Sequence, residues 1–221
     1  MRRVAITGTN RGIGLELVAQ LQKRGDEVIA ICRRASAELE RTGARVVSGI
    51  DVSDAAAVAD LAGRLGTDRL DALINNAGIL EEDDFESPGW VDSIRRQFEV
   101  NAIGPLCVTR ALLPLLGPGA KVGIVSSRVG SLADNSSGGH YGYRMSKAAV
   151  NMAGRNLAHE LEDRQIAVFL LHPGYVRTGM TRGGGSKEAA AAAGELVALM
   201  DRLTLAETGT FWHAEGYALP W

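Results

Sequence analysis

A short apolar run that leads into a glycine-rich loop constrains the fold of this chain more than any other feature. Residues 4–7 have the composition of a buried strand, and Gly8, Gly12 and Gly14 follow them directly. The next apolar residues recur at helical spacing and stop at Gly25. Glycines in such a loop let the backbone approach a pyrophosphate at the helix N-terminus. This predicts the first unit of a dinucleotide-binding fold. The spacing differs from G-x-G-x-x-G, so a plain tight turn remains the alternative.

Strands and helices alternate along the rest of the chain. Apolar runs predict further strands at 27–32, 46–50, 70–74, 122–126 and 167–171. Helical patterns lie at 35–42, 55–65, 90–116, 140–161 and 188–203. Such alternation is typical of an α/β protein. We therefore expect one domain over residues 1–221, built on a doubly wound (Rossmann) parallel sheet of about seven strands with helices on both faces. The aromatic tail at 211–221 should pack on the body or on a partner subunit.

Composition excludes several classes of protein. The 221 residues are 46% hydrophobic and carry a net charge of −2, which disfavours a nucleic-acid or anionic-membrane surface. No apolar run approaches the length of a membrane span. Cys32 and Cys107 suggest reduced, buried thiols rather than a disulfide or metal framework. We expect a cytoplasmic protein without a metal, a nucleic-acid partner or a membrane segment.

Arg33-Arg34 follows the second predicted strand, at the place where NAD-binding proteins usually have an acid. A guanidinium pairs bidentately with a 2′-phosphate but leaves a 2′-hydroxyl without its acceptor. Arg11, inside the glycine loop, can reach the same phosphate. The arginines predict a preference for NADPH, with NADH still usable, unless they are simply solvated.

Polar residues also follow the third and fourth strands. Asp51 either accepts a hydrogen bond from an adenine amino group or helps to cap the helix that begins near Ser53. The run 75–78, Asn-Asn-Ala-Gly, lies where ligands bind in open parallel sheets. Asn101 precedes Gly104-Pro105, which should bend its helix. It either holds a water against a freed carbonyl or is an ordinary helical residue.

Tyr143 and Lys147 are four residues apart on a predicted helix, so both project from one face. A phenol beside an ammonium is a proton donor whose anion the positive charge stabilises, so the pKa of Tyr143 should be lowered. That pairing suits protonation of a developing alkoxide. The same spacing is also common on solvated helix faces.

In their order and spacing, these features resemble the short-chain dehydrogenase/reductase family over essentially the whole chain. The ending 216–221 and the short loop after Thr178 resemble its smaller carbonyl-reductase and C-factor-like branch. The matching motifs are Thr7-Gly8-x-x-x-Gly12-Ile13-Gly14, Asp51-Val52, Asn75-Asn76-Ala77-Gly78, Asn101, Ser127, Tyr143-x-x-x-Lys147 and Pro173-Gly174-x-x-x-Thr178.

The resemblance assigns roles to individual residues. It implies that Tyr143 is the acid/base, that Lys147 grips the nicotinamide ribose, that Ser127 bonds the substrate oxygen and that Asn101 positions a water. It implies that the cofactor is bound by Gly8, Asn10, Arg11, Gly12, Ile13, Gly14, Arg33, Arg34, Asp51, Val52, Asn76, Ala77, Gly78, Tyr143, Lys147, Pro173, Gly174, Val176 and Thr178. Candidates for the substrate wall are Leu132, Tyr141, Tyr175 and Met180.

The function implied by the resemblance is NADPH-dependent reduction of a ketone or aldehyde, reversible as a secondary-alcohol dehydrogenase. The alternative is a C-factor-like nucleotide-binding signalling protein with incidental turnover. Surplus apolar positions on the two long helices predict a homodimer or a tetramer. The glycine-rich segment 178–187 should be a mobile loop that closes over the substrate.

Overall fold

A parallel sheet of seven strands forms the centre of the computed structural model, which describes residues 1–83 and 85–221. Its strands are β1 (Arg3–Thr7), β2 (Glu27–Ile31), β3 (Arg45–Val47), β4 (Leu70–Asn75), β5 (Leu116–Val125), β6 (Ala167–His172) and β9 (Thr210–His213). Their spatial order is β3-β2-β1-β4-β5-β6-β9, and every neighbouring pair is parallel. Two short strands, β7 (Val176–Arg177) and β8 (Lys187–Glu188), pair separately. The predicted α/β sheet of about seven strands is confirmed.

Helices cover both faces of this sheet. They are α1 (Gly12–Lys23), α2 (Ala37–Glu40), α3 (Ala55–Ala59), α4 (Leu61–Leu65), α5 (Trp90–Phe98), α6 (Gly104–Leu112), α7 (Tyr141–Leu161) and α8 (Ala189–Arg202). On one face, α1 and α8 pack against strand residues such as Phe169. On the other, α6 and α7 pack against their neighbours, such as Leu170. Alternate residues of β6 thus enter two different cores, which explains why this strand is apolar from Ala167 to Leu171.

The long helix predicted at 90–116 is interrupted. A π-helical turn, Glu99–Ile103, joins α5 to α6, and the Gly104 N–H donates to the Glu99 carbonyl five residues back. Pro105 has no N–H, so the Asn101 carbonyl has no α-helical donor at that position. The predicted irregularity at Gly104-Pro105 is therefore present as a π-turn that holds Asn101.

Several predicted elements have different bounds; β5, for example, begins at Leu116 rather than at residue 122. The helix predicted at 55–65 divides at Asp60 into α3 and α4. The third strand ends at Val47 rather than residue 50, because Gly49 has φ +79° and turns the chain.

The aromatic tail packs on the body, as predicted, and it also supplies the seventh strand, which the sequence pattern did not locate. Phe211 pairs with Leu170 of β6 and accepts a hydrogen bond from the Leu219 N–H at 2.8 Å. The Trp221 ring stacks on Phe211 at 5.6 Å between centroids. Among the described residues, no helix combines the length and the apolar character that a membrane crossing requires.

Candidate active site

A cavity lies where β1, β2, β4 and β5 end, and most of the predicted site residues meet there. Of those residues, its lining contains Gly8, Asn10, Arg11, Gly12, Ile13, Gly14, Arg33, Asp51, Val52, Asn76, Ala77, Gly78, Tyr143, Lys147, Pro173 and Thr178. The predicted residues that lie outside the lining are Arg34, Asn101, Ser127, Gly174 and Val176. One site thus receives residues from six separate parts of the chain.

The glycine loop packs against the end of β4 too closely for side chains. A Cβ on Gly8 would lie 2.7 Å from the Ala77 Cα, and one on Gly14 would lie 2.2 Å from the Gly8 carbonyl oxygen. Gly8 and Gly12 also have φ of +70° and +57°, which L-residues rarely adopt. The loop is therefore held against its neighbours in a backbone path that needs glycine.

Asn76 and Thr7 lock this loop to the sheet. The Asn76 side-chain amide donates to the carbonyls of Thr7 and Gly8 at 3.0 and 3.1 Å. The Thr7 hydroxyl accepts from the backbone N–H groups of Asn76 and Ala77, both at 3.0 Å. The Asn76 amide is therefore bonded to the backbone of the glycine loop, and it holds that part of the cavity wall in place.

The Asp51 carboxylate does not cap the following helix. Asp54 does so, accepting from Ala56 and Ala57 at the start of α3. One Asp51 oxygen accepts from the Ser53 hydroxyl at 2.7 Å, and the other faces Arg33 at 3.6 Å. Burial alone would raise the pKa of Asp51, but the Ser53 hydrogen bonds and the Arg33 charge outweigh it and lower the pKa. Asp51 is thus ionised at the cavity edge.

Two arginines place positive charge at the end of the cavity that contains the glycine loop and Asp51. Arg33 and Arg11 line the cavity with exposed side chains, whereas Arg34, also exposed, lies outside the lining. The glycine loop at the start of α1, with arginines beside it, fits a dinucleotide that carries phosphates.

At the opposite end of the cavity, α7 presents Tyr143 and Lys147 together. The Lys147 ammonium lies 5.7 Å from the centroid of the Tyr143 ring and donates to the Val125 carbonyl at 2.9 Å. Lys147 is only 4% exposed. Ser127, itself buried, lies beside the Tyr143 phenol. A proton donor, a hydroxyl and an ammonium therefore converge at one place.

The prediction that the pKa of Tyr143 is lowered is wrong for the protein's own residues. Burial of the phenol disfavours the phenolate and raises the pKa of Tyr143 to about 12, although hydrogen bonding by Ser127 offsets part of the rise. Burial also lowers the pKa of Lys147 to about 8. The sequence spacing showed that the two groups are neighbours, but it could not show that desolvation dominates both.

Asn101 is fully engaged in protein contacts behind the cavity wall. Its side-chain amide donates to the Ile79 carbonyl at 2.8 Å and to the Ser146 hydroxyl at 3.0 Å, and its oxygen accepts from the Ile79 N–H at 2.8 Å. A Cβ on Gly78 would lie 3.2 Å from this oxygen and 3.7 Å from the Lys147 ammonium. The side chain thus joins the π-turn, the β4 loop and α7 next to Lys147.

Sequence reasoning missed several residues that line the cavity, most of them apolar: Ile31, Cys32, Ile50, Ile79, Val100, Val125, Ser126 and Gly179. Most of them sit at or just beyond strand ends, so their position in the predicted strands was the available signal.

Of the four substrate-wall candidates, Met180 lines the cavity. Leu132, Tyr141 and Tyr175 lie outside the lining and are exposed.

The segment 178–187 runs along the cavity and is folded around Thr181. The Thr181 hydroxyl accepts from the Thr178 N–H at 3.1 Å and lies 2.8 Å from the Val176 carbonyl oxygen. Arg182 forms an ion pair of 2.9 Å with Glu82, in the loop after β4. The segment is therefore linked to the loop after β4 by a contact between exposed side chains, and its mobility stays a prediction.

Comparisons with known proteins agree with this geometry. The model of the short chain dehydrogenase family matches residues 2–189. The chain is 44% identical, over the full length of both proteins, to 1-hydroxy-2-glutathionyl-2-methyl-3-butene dehydrogenase of Rhodococcus sp. (strain AD45). It is 42% identical to the C-signal of Myxococcus xanthus, covering 70% of this chain and 95% of that protein.

A solved structure shares both the fold and the extent of the chain. The NADPH-bound carbonyl reductase from chicken fatty liver superposes with a TM-score of 0.87 at 29% identity. The alignment covers 100% of this chain and 99% of that one.

Proposed function

We propose that this chain, which belongs to the short-chain dehydrogenase family, reduces a ketone or aldehyde with NADPH and oxidises the secondary alcohol in reverse. It is an oxidoreductase that uses a nicotinamide cofactor. Beyond this, we propose which cofactor it prefers, which class of substrate it uses and what role each site residue has.

The convergence of Tyr143 and Lys147 at the cavity that also contains the glycine loop, with Ser127 beside the Tyr143 phenol, carries this proposal. A bound nicotinamide supplies the hydride. Tyr143 donates its proton to the substrate oxygen as negative charge develops there, and the Ser127 hydroxyl orients that oxygen. Lys147 holds the nicotinamide ribose with its ammonium. Asn101 acts behind Lys147, where its own carbonyl, which has no α-helical donor at Pro105, is expected to bind a water.

The NADPH preference is supported by the two arginines that line the adenine end. Arg33 and Arg11 offer exposed guanidinium groups, and Asp51 is already engaged by Ser53 and Arg33. A 2′-phosphate between these arginines would gain charge-assisted bonds, which contribute about 1.5–3 kcal/mol each. NADH lacks this phosphate and would bind without them.

The substrate class has two candidates. The carbonyl reductase likeness favours small ketones and aldehydes. The Rhodococcus relative is named for an alcohol that carries a glutathionyl group on the adjacent carbon, which favours a thioether-substituted alcohol. The similarity to the C-signal supports a signalling role as the alternative to metabolism.

A substrate panel with NADPH tests the proposal. The panel contains an aryl ketone, a small diketone and an aldehyde, and a 2-glutathionyl primary alcohol is assayed separately with NADP, which accepts the hydride in that direction. Turnover is followed by cofactor absorbance and by chiral analysis of the products. We expect steady turnover of at least one member. Binding of NADPH without turnover of any of them would support the signalling alternative.

A further inference from the structure

A buried carboxylate outside the cavity contacts the first turn of the helix that carries Tyr143. Asp83 is 2% exposed, and its Oδ2 accepts a hydrogen bond of 2.6 Å from the Gly142 N–H. Gly142 directly precedes Tyr143. A negative charge at this end of a helix also interacts favourably with the helix dipole. The contact therefore fixes the backbone from which the Tyr143 side chain projects.

The helix has no comparable anchor of its own at this end. The N-cap residue, His140, has φ +46° and its side chain forms no capping hydrogen bond. The first N–H groups of a helix lack partners within the helix and need external acceptors. Asp83 supplies one of them from a different part of the chain, the loop after β4.

Helix α5 holds Asp83 in place. The side-chain amide nitrogen of Gln97, a fully buried residue, lies 3.2 Å from the same Asp83 oxygen and 3.2 Å from the Ser93 hydroxyl. The side-chain oxygen Oε1 of Gln97 accepts from the Glu81 N–H at 3.2 Å. Asp83 is thus fixed at a junction between α5 and α7.

At this junction the backbones of α5 and α7 are in close contact. A Cβ on Gly142 would lie 2.5 Å from the Asp83 oxygen and 2.9 Å from the Ile94 Cα of α5. Within the described residues, the second oxygen of Asp83 is buried without a hydrogen-bond partner. Burying a carboxylate with an unpartnered oxygen opposes folding, so stability alone does not account for this residue.

We propose that Asp83 is a positioning residue for Tyr143. By holding the Gly142 N–H from outside the helix, it sets the place of the Tyr143 hydroxyl relative to Ser127 and the substrate oxygen. Small displacements of a catalytic group lower the rate steeply, by about 10²-fold for 1 Å. The inference rests on the proposed function, in which Tyr143 donates the proton.

Asp83→Ala and Asp83→Asn test this role in two backgrounds, with Tyr143 intact and with Tyr143→Phe. The measurements are kcat for ketone reduction, the NADPH Kd from fluorescence, and thermal unfolding. Glu86→Ala, which removes an exposed acid from the same loop, is the matched control. Asp83→Asn keeps the volume of the side chain and one acceptor, so it decides the question if the alanine variant does not fold.

With Tyr143 intact, Asp83→Ala should lower kcat on the order of 10- to 100-fold and leave the NADPH Kd unchanged. Lys147 lies one turn further along α7 and stays bonded to Val125, so the cofactor contact persists. Asp83→Asn should cost less, and Glu86→Ala should match the unmodified protein. In the Tyr143→Phe background, neither Asp83 variant should lower kcat further, because two residues that act as a unit are not additive.

Unchanged kcat in both Asp83 variants would overturn the inference. So would an equal loss in both backgrounds, because that result indicates a general structural effect. If Tyr143→Phe alone keeps most of the activity, the proposed function fails and the inference with it. A large loss in Tyr143→Phe beside unchanged Asp83 variants overturns only the role of Asp83.

Discussion

Arg33 and Arg34 are neighbours in sequence but differ in position at the site. Arg33 lines the cavity and faces Asp51, whereas Arg34 lies outside the lining. The arginine pair indicated a phosphate in place of an acid, but it could not indicate which member faces the ligand. Both residues lie in the bend that follows β2, where strand alternation does not predict the direction of a side chain, so only the structure fixes which one reaches the cavity.

Arg33→Ala should lower kcat/KM for NADPH by about tenfold to a hundredfold and leave the value for NADH nearly unchanged, because only NADPH has the phosphate. Arg34→Ala is the matched comparison and should cause a smaller loss. The ratio of kcat/KM for the two cofactors is the measurement. A preference for NADH in the unmodified protein, or an unchanged ratio in Arg33→Ala, would refute the assignment.

Lys147 gives the site a pH dependence. Burial lowers the pKa of its ammonium to about 8, so the charged form is lost as the pH rises through that value. If the ammonium holds the ribose, NADPH affinity should be constant below pH 8 and fall above it, by up to about tenfold per pH unit. Fluorescence titration of NADPH from pH 6.5 to 9.5 measures this.

Lys147→Met should bind NADPH more weakly and without this pH dependence. An affinity that stays constant to pH 9.5 in the unmodified protein would contradict the role.

The lowered pKa of Lys147 also has a consequence for stability. The folded-state pKa lies below the ordinary value of 10.5, so the unfolded state binds more protons between about pH 8 and 10.5. In that window, Lys147 makes the free energy of unfolding rise with pH.

At the scale of elements, the alternation of apolar runs predicted the order of strands and helices, because each run is buried between two layers. The places where helices are interrupted were harder to predict from the sequence. The π-turn depends on how α5 and α6 pack around Asn101, and the break at Asp60 has no glycine or proline as a signal. Strand β9 was missed because its few residues lie in a tail whose aromatic composition indicated packing but not pairing.

The segment 178–187 should exchange its amide hydrogens more slowly when NADP and a ketone analogue are added together. Its link to the loop after β4, Arg182–Glu82, joins two exposed side chains, and such pairs contribute only about 0–1 kcal/mol. Ligand contacts are therefore expected to hold the segment more strongly than the protein alone. Hydrogen exchange read by mass spectrometry measures the change, and β6 is the internal control. Equal protection with and without ligand would remove the lid proposal.

At the scale of the whole molecule, apolar side chains remain exposed on α5, the π-turn, α6 and α7. They are Val91, Ile103, Leu106, Met145 and Met152, between 37% and 64% exposed. Exposed apolar side chains shared by neighbouring helices are typical of a protein interface. We propose that these helices form the contact in a homodimer, or one contact of a tetramer.

Light scattering at micromolar concentration should give at least twice the 23.4 kDa of one chain. Met152→Glu should shift the mass towards that of one chain, because it places a charge in the proposed contact. Leu132→Glu, at an exposed position outside these helices, should leave the mass unchanged. A mass near 23.4 kDa for the unmodified protein would contradict the proposal.

The proton donated by Tyr143 is the central claim, and Tyr143→Phe tests it most directly. The change removes only the hydroxyl and keeps the ring, so folding and NADPH affinity should stay nearly intact. Single-turnover and steady-state kcat for ketone reduction should fall by about 10²–10⁴, the usual share of general acid–base catalysis. Ser127→Ala should lower kcat without changing NADPH affinity. A Tyr143→Phe protein that binds NADPH and keeps most of its carbonyl reduction would show that the proton comes from another group.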